Sequence, residues 1–313
     1  MSQPQAPSQA AILRIGTRGS PLALAQAGMV RDGVARAHGF DPAGIELKVI
    51  RTTGDRIQDR PLAEAGGKGL FAKEIEEALI ERRIDLAVHS SKDMPTFLPE
   101  GLVLSAFLPR EDARDAFISR KARDLAGLAR GAVVGTSSPR RQALLRRMRS
   151  DLKVVDLRGN VETRLRKLDE GAADATLLAL AGLKRLSLAD AAATVFELDE
   201  FLPAVGQGAI GIETRVDDAK TRSLLTPINH AATATALACE RAFLAALDGS
   251  CRTPIAGYAA VAEGRVNFRG MIVKPDGSEA FETTRSGSAD DTERLGTDAG
   301  RELKGKASPD FFA

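Results

Sequence analysis

A chain of 313 residues that is 43% hydrophobic has apolar mass enough for two or three domains at ~100–200 residues each. Its 44 Lys+Arg against 42 Asp+Glu leave a formal charge of only +2, which argues against a protein wrapped broadly along nucleic acid and confines any basic site to a local patch. Two cysteines with no CxxC or Cys/His spacing exclude a disulfide framework and argue against structural zinc, and no apolar run approaches the ~20 residues of a membrane span.

The opening MSQPQAPSQAAIL is polar and lacks a basic stretch followed by an apolar core, so it predicts a disordered tail over residues 1–10 and no secretory signal. A soluble, reducing, cytoplasmic setting is the expectation. Ile12 to Gly16 reads as a strand, Thr17 to Ser20 as a turn, and Pro21 starts a helix with Ser20 as its N-cap. Arg18 stands beside that helix N-terminus. Leu47 to Ile50 is a second strand. The polar stretch Arg51 to Gly69, with Gly66-Gly67-Lys68-Gly69 at its end, predicts a lid-like loop before an amphipathic helix from Leu70 to Arg82.

The run from Ile84 to Val88 predicts a strand that stops at a polar cluster, His89, Ser90, Ser91, Lys92 and Asp93. In an open α/β sheet ligands bind beyond the carboxyl ends of strands, and Pro95 prevents a helix from following, so Asp93 is expected on a constrained turn at a site. After Leu102 to Leu108, the charged segment Arg110 to Asp115 reads as a crossover into a second lobe.

There the pattern begins again. Ala132 to Gly135 is a strand, Thr136-Ser137-Ser138 a turn, and Pro139-Arg140-Arg141 opens a helix capped by Ser138. Gly135-Thr136-Ser137-Ser138-Pro139 repeats the device of Gly16-Thr17-Arg18-Gly19-Ser20-Pro21, which predicts two α/β lobes, each presenting a capped helix N-terminus. Lys153 to Leu157 is a strand ending at Arg158-Gly159-Asn160, and a helix containing Arg164 follows. Asp174 to Leu180 is a buried strand leading to Arg185. The strand–helix alternation predicts mostly parallel sheets. Leu202 to Ile212, through Gln207, reads as a loop and a strand returning to the first sheet in a second crossover. A helix from Ala231 to Leu247, a loop from Gly249 to Pro254 containing Cys251, and a hairpin of Val266–Val273 with Glu279–Thr284 make a small α+β domain.

Arg18, Arg140, Arg141, Arg158, Arg164 and Arg185 fall at strand ends or helix starts, where a guanidinium pairs bidentately with an anion. No GxxxxGK[ST] and no GxGxxG after a strand supports a nucleotide, so these arginines point to a ligand with many carboxylates. Cys239 lies on a helix with Phe243 and Leu247 at i+4 and i+8 and reads as a buried hydrophobe; Cys251 lies in a loop beside Arg252, whose charge favours a thiolate. The histidines, His38, His89 and His230, form no evident relay, so thiol-hydrolase chemistry fits poorly.

Taken together, RIGTRGSPLALAQA from Arg14, GGKGLFAKEIE from Gly66, DLAVHSSKDMPT from Asp85, GTSSPRRQ from Gly135, LRGNVETRL from Leu157, AGLKRL from Ala181, LPAVGQGAIGIE from Leu202 and GSCRTPIAGYA from Gly249 resemble the porphobilinogen deaminase (hydroxymethylbilane synthase) family of tetrapyrrole, porphyrin and heme biosynthesis. The resemblance departs at Glu64, Ser250 and Arg252. It implies two lobes like a type II periplasmic binding protein, formed by residues 12–108 with 209–228 and by 114–202, and a third domain over 231–313. It further implies a dipyrromethane cofactor held by Cys251 through a thioether, Asp93 as catalytic carboxylate, and porphobilinogen as substrate. Arg18, Lys92, Arg140, Arg141, Arg158, Arg164 and Arg185 would bind acetate and propionate groups, Ser20, Thr136, Ser137, Ser138 and Gln207 would add neutral donors, and Lys68 would belong to the mobile loop. A cytoplasmic monomer acting without metal, membrane or nucleic acid is the expectation. The rivals are a non-catalytic two-lobed carboxylate-binding protein and a nucleic-acid binder using the helix from Arg140 to Arg149.

Overall fold

The computed structural model describes residues 11–56, 71–249 and 253–312. Residues 1–10, Lys68 with most of the Arg51–Gly69 stretch, and Ser250, Cys251 and Arg252 lie outside the described residues. In chain order the first elements are β1 (Leu13–Thr17), α1 (Pro21–His38), β2 (Ile45–Val49), α2 (Thr53–Arg56), α3 (Lys73–Ile80), β3 (Leu86–Ser90) and β4 (Leu102–Phe107). Next come β5 (Asp115–Ser119), β6 (Val133–Gly135), α4 (Pro139–Met148), β7 (Lys153–Val155), α5 (Val161–Asp169), β8 (Ala175–Ala179), α6 (Leu180–Arg185) and β9 (Thr194–Val195). The chain continues through β10 (Ile210–Arg215), α7 (Ala219–Leu225), α8 (Ala231–Ala246), β11 (Ile255–Ala262), β12 (Arg265–Val273), β13 (Ala280–Ser288) and α9 (Thr292–Lys306).

Two five-stranded sheets share one topology. The first runs β2-β1-β3-β10-β4 and the second β7-β6-β8-β5-β9. In each, three strands are parallel and the next is antiparallel: β10 in the first and β5 in the second. Because β10 follows the whole second sheet in sequence and yet belongs to the first, the chain crosses between lobes twice, as the sequence predicts. The crossovers lie over 108–114 and 202–209. They are pressed together: Gly208, at φ +88, comes so near Glu111 that a Cβ would stand 2.4 Å from its carbonyl oxygen, which only glycine permits.

Both repeated helix starts form as the sequence dictates. Ser20 Oγ accepts from Ala23 N–H and Ser138 Oγ from Arg141 N–H, with proline in each first turn. The first sheet buries Leu13, Ile15, Leu86, Val88, Ile210 and Ile212 against Ala27, Val30 and Val34 of α1, and its other face packs Ala87 on Ile75 and Leu79 of α3. The small antiparallel sheet β11-β12-β13 lies against α8 and α9. Its core takes in Phe107, Val205 and Ala209 from the ends of β4 and the second crossover, while Ala256, Met271 and Val273 join the core of the second lobe. The C-terminal domain is thus packed onto the hinge region.

Several local expectations are corrected. The charged run to Asp115 ends in the start of β5, not in a bare crossover. The amphipathic helix is described as α3 over Lys73–Ile80, shorter than Leu70 to Arg82. The hairpin exists, but β13 extends to Ser288, and β11 and α9 lie beyond what the sequence predicts. After α8 the left-handed residue is Asp248, at φ 52. Gly249 is required for space, since a Cβ there would stand 2.4 Å from Ile255 Cδ1.

Candidate active site

The strand β3 delivers a single 3-10 turn, Ser91–Asp93, and Met94 then takes an extended conformation at φ −73 and ψ 140, as a residue before proline must. Asp93 therefore sits on a short turn at the carboxyl end of a central strand. Gly206 of the second crossover lies under this turn at φ +74, where a Cβ would stand 3.0 Å from Lys92 N. The hinge and the turn are in contact.

Lys92 Nζ donates to Gln207 Oε1 at 3.4 Å, and Gln207 is oriented by its own Nε2 donating to Ala113 O at 2.7 Å. Burial lowers the Lys92 pKa to about 8, helped by the positive charges of Arg141 and Arg140 and opposed by Asp93 and Asp115. Arg164, on α5 of the other lobe, is pulled down to about 10 by burial and by Arg141 and Arg158, with Asp93 acting the other way. Its Nε donates to Gly159 O at 2.8 Å. Asp93, Lys92, Arg141, Arg158 and Arg164 thus share one electrostatic environment across the two lobes. Burial is the largest cause of both shifts, and the neighbouring guanidinium groups add a local positive potential, partly offset by Asp93 and Asp115. A ligand carrying several carboxylates would neutralise it.

Arg140 and Arg141 meet a partner that the sequence did not single out. Asp115 takes Arg140 Nη2 at 2.8 Å and Arg141 Nε at 2.8 Å, and all three side chains are buried. Burial works against the Asp115 charge, yet Arg140, Arg141 and Lys92 hold its carboxyl below the usual range. Arg140 also donates to Leu202 O at 2.8 Å and stacks on the Phe201 ring, and Arg141 donates to Leu177 O at 2.8 Å. Arg140 is a brace between the second lobe and the crossover; Arg141 is both brace and part of the positive field.

The other expected residues divide in a similar way. Arg18 places its guanidinium over the Phe71 ring at 4.1 Å. Arg185 Nη2 donates to Gly208 O at 2.7 Å, so it grips the second crossover, and burial lowers its pKa. Ser20 and Ser138 act as helix caps, and Thr136 Oγ1 accepts from Ser138 N–H at 3.3 Å. Ser137 Oγ is buried without a hydrogen-bond partner among the described residues. An orphaned hydroxyl beside cation-rich helix starts fits a polar ligand. Lys68 and Cys251 lie outside the described residues. Cys239 is buried on α8, and its thiol is pushed up to about 12 by burial and by Glu240, which suits an inert core residue.

Sequence reasoning missed Asp115, Arg110, Glu240 and Arg241. The one local signal was an acidic residue opening the apolar run Ala116-Phe117-Ile118, a pattern that requires a buried counter-charge. Among the described residues no group of His, Cys, Asp and Glu is placed to hold a metal ion, and no helix is long and apolar enough to cross a membrane.

Two α/β lobes joined by a double crossover, with Asp93 and Lys92 at the end of β3 in electrostatic reach of Arg141 and Arg164 of the second lobe, define a two-lobed α/β protein with a charged interlobe site. The sequence comparisons narrow this class. Residues 13–223 match the family described as porphobilinogen deaminase, dipyromethane cofactor binding domain, and residues 234–305 match the porphobilinogen deaminase C-terminal domain; the chain belongs to the porphobilinogen deaminase family. Proteins named porphobilinogen deaminase from Nitrobacter hamburgensis and Nitrobacter winogradskyi are each 61% identical over 298 residues, covering 95% of this chain and 94% of theirs. The solved methionine binding protein MetQ superposes with a TM-score of 0.44 at 15% identity over 69% of this chain and 89% of that chain, and the fold described above rests on the sheets themselves.

Proposed function

We infer that the chain is a transferase of the hydroxymethylbilane synthase type, joining four porphobilinogen molecules head to tail with loss of ammonia and releasing hydroxymethylbilane by hydrolysis. A bound dipyrromethane supplies the primer on which pyrroles are added. Asp93 serves as the proton-transferring carboxyl at the departing amine nitrogen and, once ionised, as the charge that steadies the cation left behind. Lys92, Arg141, Arg158, Arg164 and Arg18 hold acetate and propionate groups. Arg140 and Arg185 act indirectly, through Asp115 and Gly208, and Gln207 positions Lys92. Ser137 offers a hydroxyl, Ser20, Thr136 and Ser138 shape the helix starts, and Lys68, in the glycine-rich run 66–69, is a further binding residue. Cys251 carries the primer through a thioether.

The observation that carries this reading is the position of Asp93 and Lys92 on the turn at the end of β3, within electrostatic reach of Arg141 and Arg164 of the second lobe, because cations gathered about one such turn favour an anion of several charges. A non-catalytic carboxylate binder would account for the field, but not for membership of a family with a cofactor-binding domain. The domain limits that go with the reading are 12–108 with 209–228, 114–202, and 231–313, in a cytoplasmic monomer that needs neither nucleic acid nor a membrane. Intact mass tests it. The purified protein should exceed its sequence mass by two linked pyrrole units, and Cys251→Ser should not. An adduct on the Cys251→Ser protein, or none on the parent after incubation with porphobilinogen, overturns the attachment.

A further inference from the structure

Glu240 and Arg241 are neighbours on α8, yet they reach different parts of the first lobe and hinge. The Glu240 carboxylate accepts from Arg110 of the first crossover, from Gly206 N–H of the second at 2.7 Å and from Ala259 N–H of β11 at 2.8 Å. Arg241 turns to the catalytic turn: its Nη2 donates to Pro95 O at 3.0 Å and to Thr96 O at 2.9 Å. Thr96 Oγ1 in turn donates to Gly249 O at 2.8 Å, just past the end of α8. Burial lowers the Arg241 pKa and the Glu213 carboxylate, on β10, opposes that.

These contacts matter because the segment after Asp93 has no ladder to hold it. Pro95 lacks an N–H, and the 3-10 turn closes with the single backbone bond from Met94 N–H to Ser91 O at 3.3 Å. The carbonyls of Pro95 and Thr96 lie beyond both β3 and this turn, so their partner decides where the loop rests. A guanidinium nitrogen with two N–H groups spans the two consecutive carbonyls; a hydroxyl or a single donor does not.

We propose that Arg241 is the positioning residue for Asp93, clamping the catalytic turn to α8 so that it moves with the hinge held by the adjacent Glu240. The inference rests on the reading of Asp93 as the catalytic carboxylate. It assigns Arg241 no contact with substrate. The clamp fixes the distance between Asp93 and the C-terminal domain while the crossovers carry the lobes, and its loss leaves the carboxylate present but misplaced. Displacement of a reacting group by ~1 Å costs about a hundredfold in rate.

The test uses cofactor-loaded full-length protein carrying Arg241→Ala or Arg241→Lys, with adduct mass confirmed first. Arg241→Ala is expected to lower kcat about 10- to 100-fold with KM for porphobilinogen within about threefold of the parent. Amide exchange at residues 94–97 should quicken while exchange in α1 and α5 does not. Methylguanidinium added to Arg241→Ala should restore part of kcat and slow that local exchange, and Arg241→Lys should fall between parent and alanine variant. Unchanged kcat in Arg241→Ala, absence of any methylguanidinium effect, or exchange that quickens equally throughout the protein each overturns the clamp. Should the alanine variant not fold, Arg241→Met, which keeps the apolar stem and donates nothing, decides: parent-like exchange at 94–97 refutes the proposal. Asp93→Asn in parallel separates the two readings, since near-normal turnover there refutes the catalytic carboxylate while the exchange result still judges the clamp.

Discussion

Arg110 Nη1 stands 2.5 Å from Glu240 Oε1, and with that ion pair the first crossover is fastened to the helix of the C-terminal domain. Arg110 also donates to Gln207 O at 2.9 Å and lies over the Tyr258 ring, so one guanidinium touches both crossovers and the third sheet. The Glu240 side chain has no solvent exposure. Removing one partner from such a pair leaves a buried charge without compensation and costs about 3–5 kcal/mol. Arg110→Leu and Glu240→Leu should each lose stability of that order in urea, and the double variant should lose less than the sum of the two. Additive losses would show that the pair is not coupled.

Glu76 gives the fold a dependence on pH that the chemistry does not need. It is buried on α3, where burial and the Glu213 carboxylate raise its pKa to about 7, with His89 opposing. Glu213 itself is hydrogen-bonded to His89 Nε2 at 3.0 Å. Between about pH 4.5 and 7 the folded protein binds a proton here that the unfolded chain has given up, so this group's contribution to stability declines as pH rises across that window. Glu76→Gln should therefore be more stable than the parent above pH 7, by on the order of 1–2 kcal/mol once solvent screening is allowed for, and the gain should fade near pH 4.5. Urea midpoints at pH 5 and pH 8 decide it, and equal pH slopes in the two proteins count against the assignment.

Lys92 titrates with the opposite consequence for folding and for binding. Its pKa is lowered to about 8 from 10.5, first by burial. Below about pH 8 the cation is present in both states and its burial is unfavourable; from about 8 to 10.5 the unfolded chain binds the extra proton, so stability from this group rises with pH. Affinity for carboxylates should fall over the same range, because the neutral amine no longer attracts them. Lys92→Arg, charged throughout, should abolish the rise in KM for porphobilinogen between pH 7.5 and pH 9. A KM profile that is identical in parent and variant would remove Lys92 from the binding set.

What the sequence made legible was whatever depends on neighbours in the chain. The Ser20–Pro21 and Ser138–Pro139 helix starts and the strand that stops before Asp93 follow from caps, periodicity and turn residues, whereas the strand β10 could be read locally but its pairing with β3 and β4 could not. The misses have long-range causes. β5 opens with Asp115, which a local pattern treats as a loop residue, and its burial is made tolerable by Arg140 and Arg141 of α4. α9 carries Gly296 and Gly300, each a cost of about 1 kcal/mol to a helix. Their reason lies in α8: a Cβ on Gly296 would stand 2.1 Å from Cys239 O and one on Gly300 2.7 Å from Phe243 O. The same logic explains why six arginines looked equivalent in sequence and are not. Whether a guanidinium faces a ligand, an aspartate or a crossover carbonyl is settled by residues far along the chain.

That distinction sharpens the comparison between Asp93 and Arg141. Arg141→Leu strips one partner from the buried Asp115, so its first effect should be a loss of stability of about 3–5 kcal/mol, with weaker pyrrole binding seen only in protein that remains folded. Asp93 lies on an accessible turn and braces nothing of that kind. Asp93→Asn keeps shape and hydrogen bonding while losing charge and proton, so the melting temperature should change little and the damage should fall on turnover. General acid–base action is worth roughly 10²–10⁴-fold, and stabilisation of the cation adds to it. Asp93→Glu keeps the carboxyl and displaces it by about a bond length, and should turn over slowly but measurably. Loaded enzyme is mixed with porphobilinogen, and product and ammonia are followed together. If a loaded, fully folded Asp93→Asn protein releases ammonia at near the parent rate, the proton passes through another group and Asp93 has only a binding role.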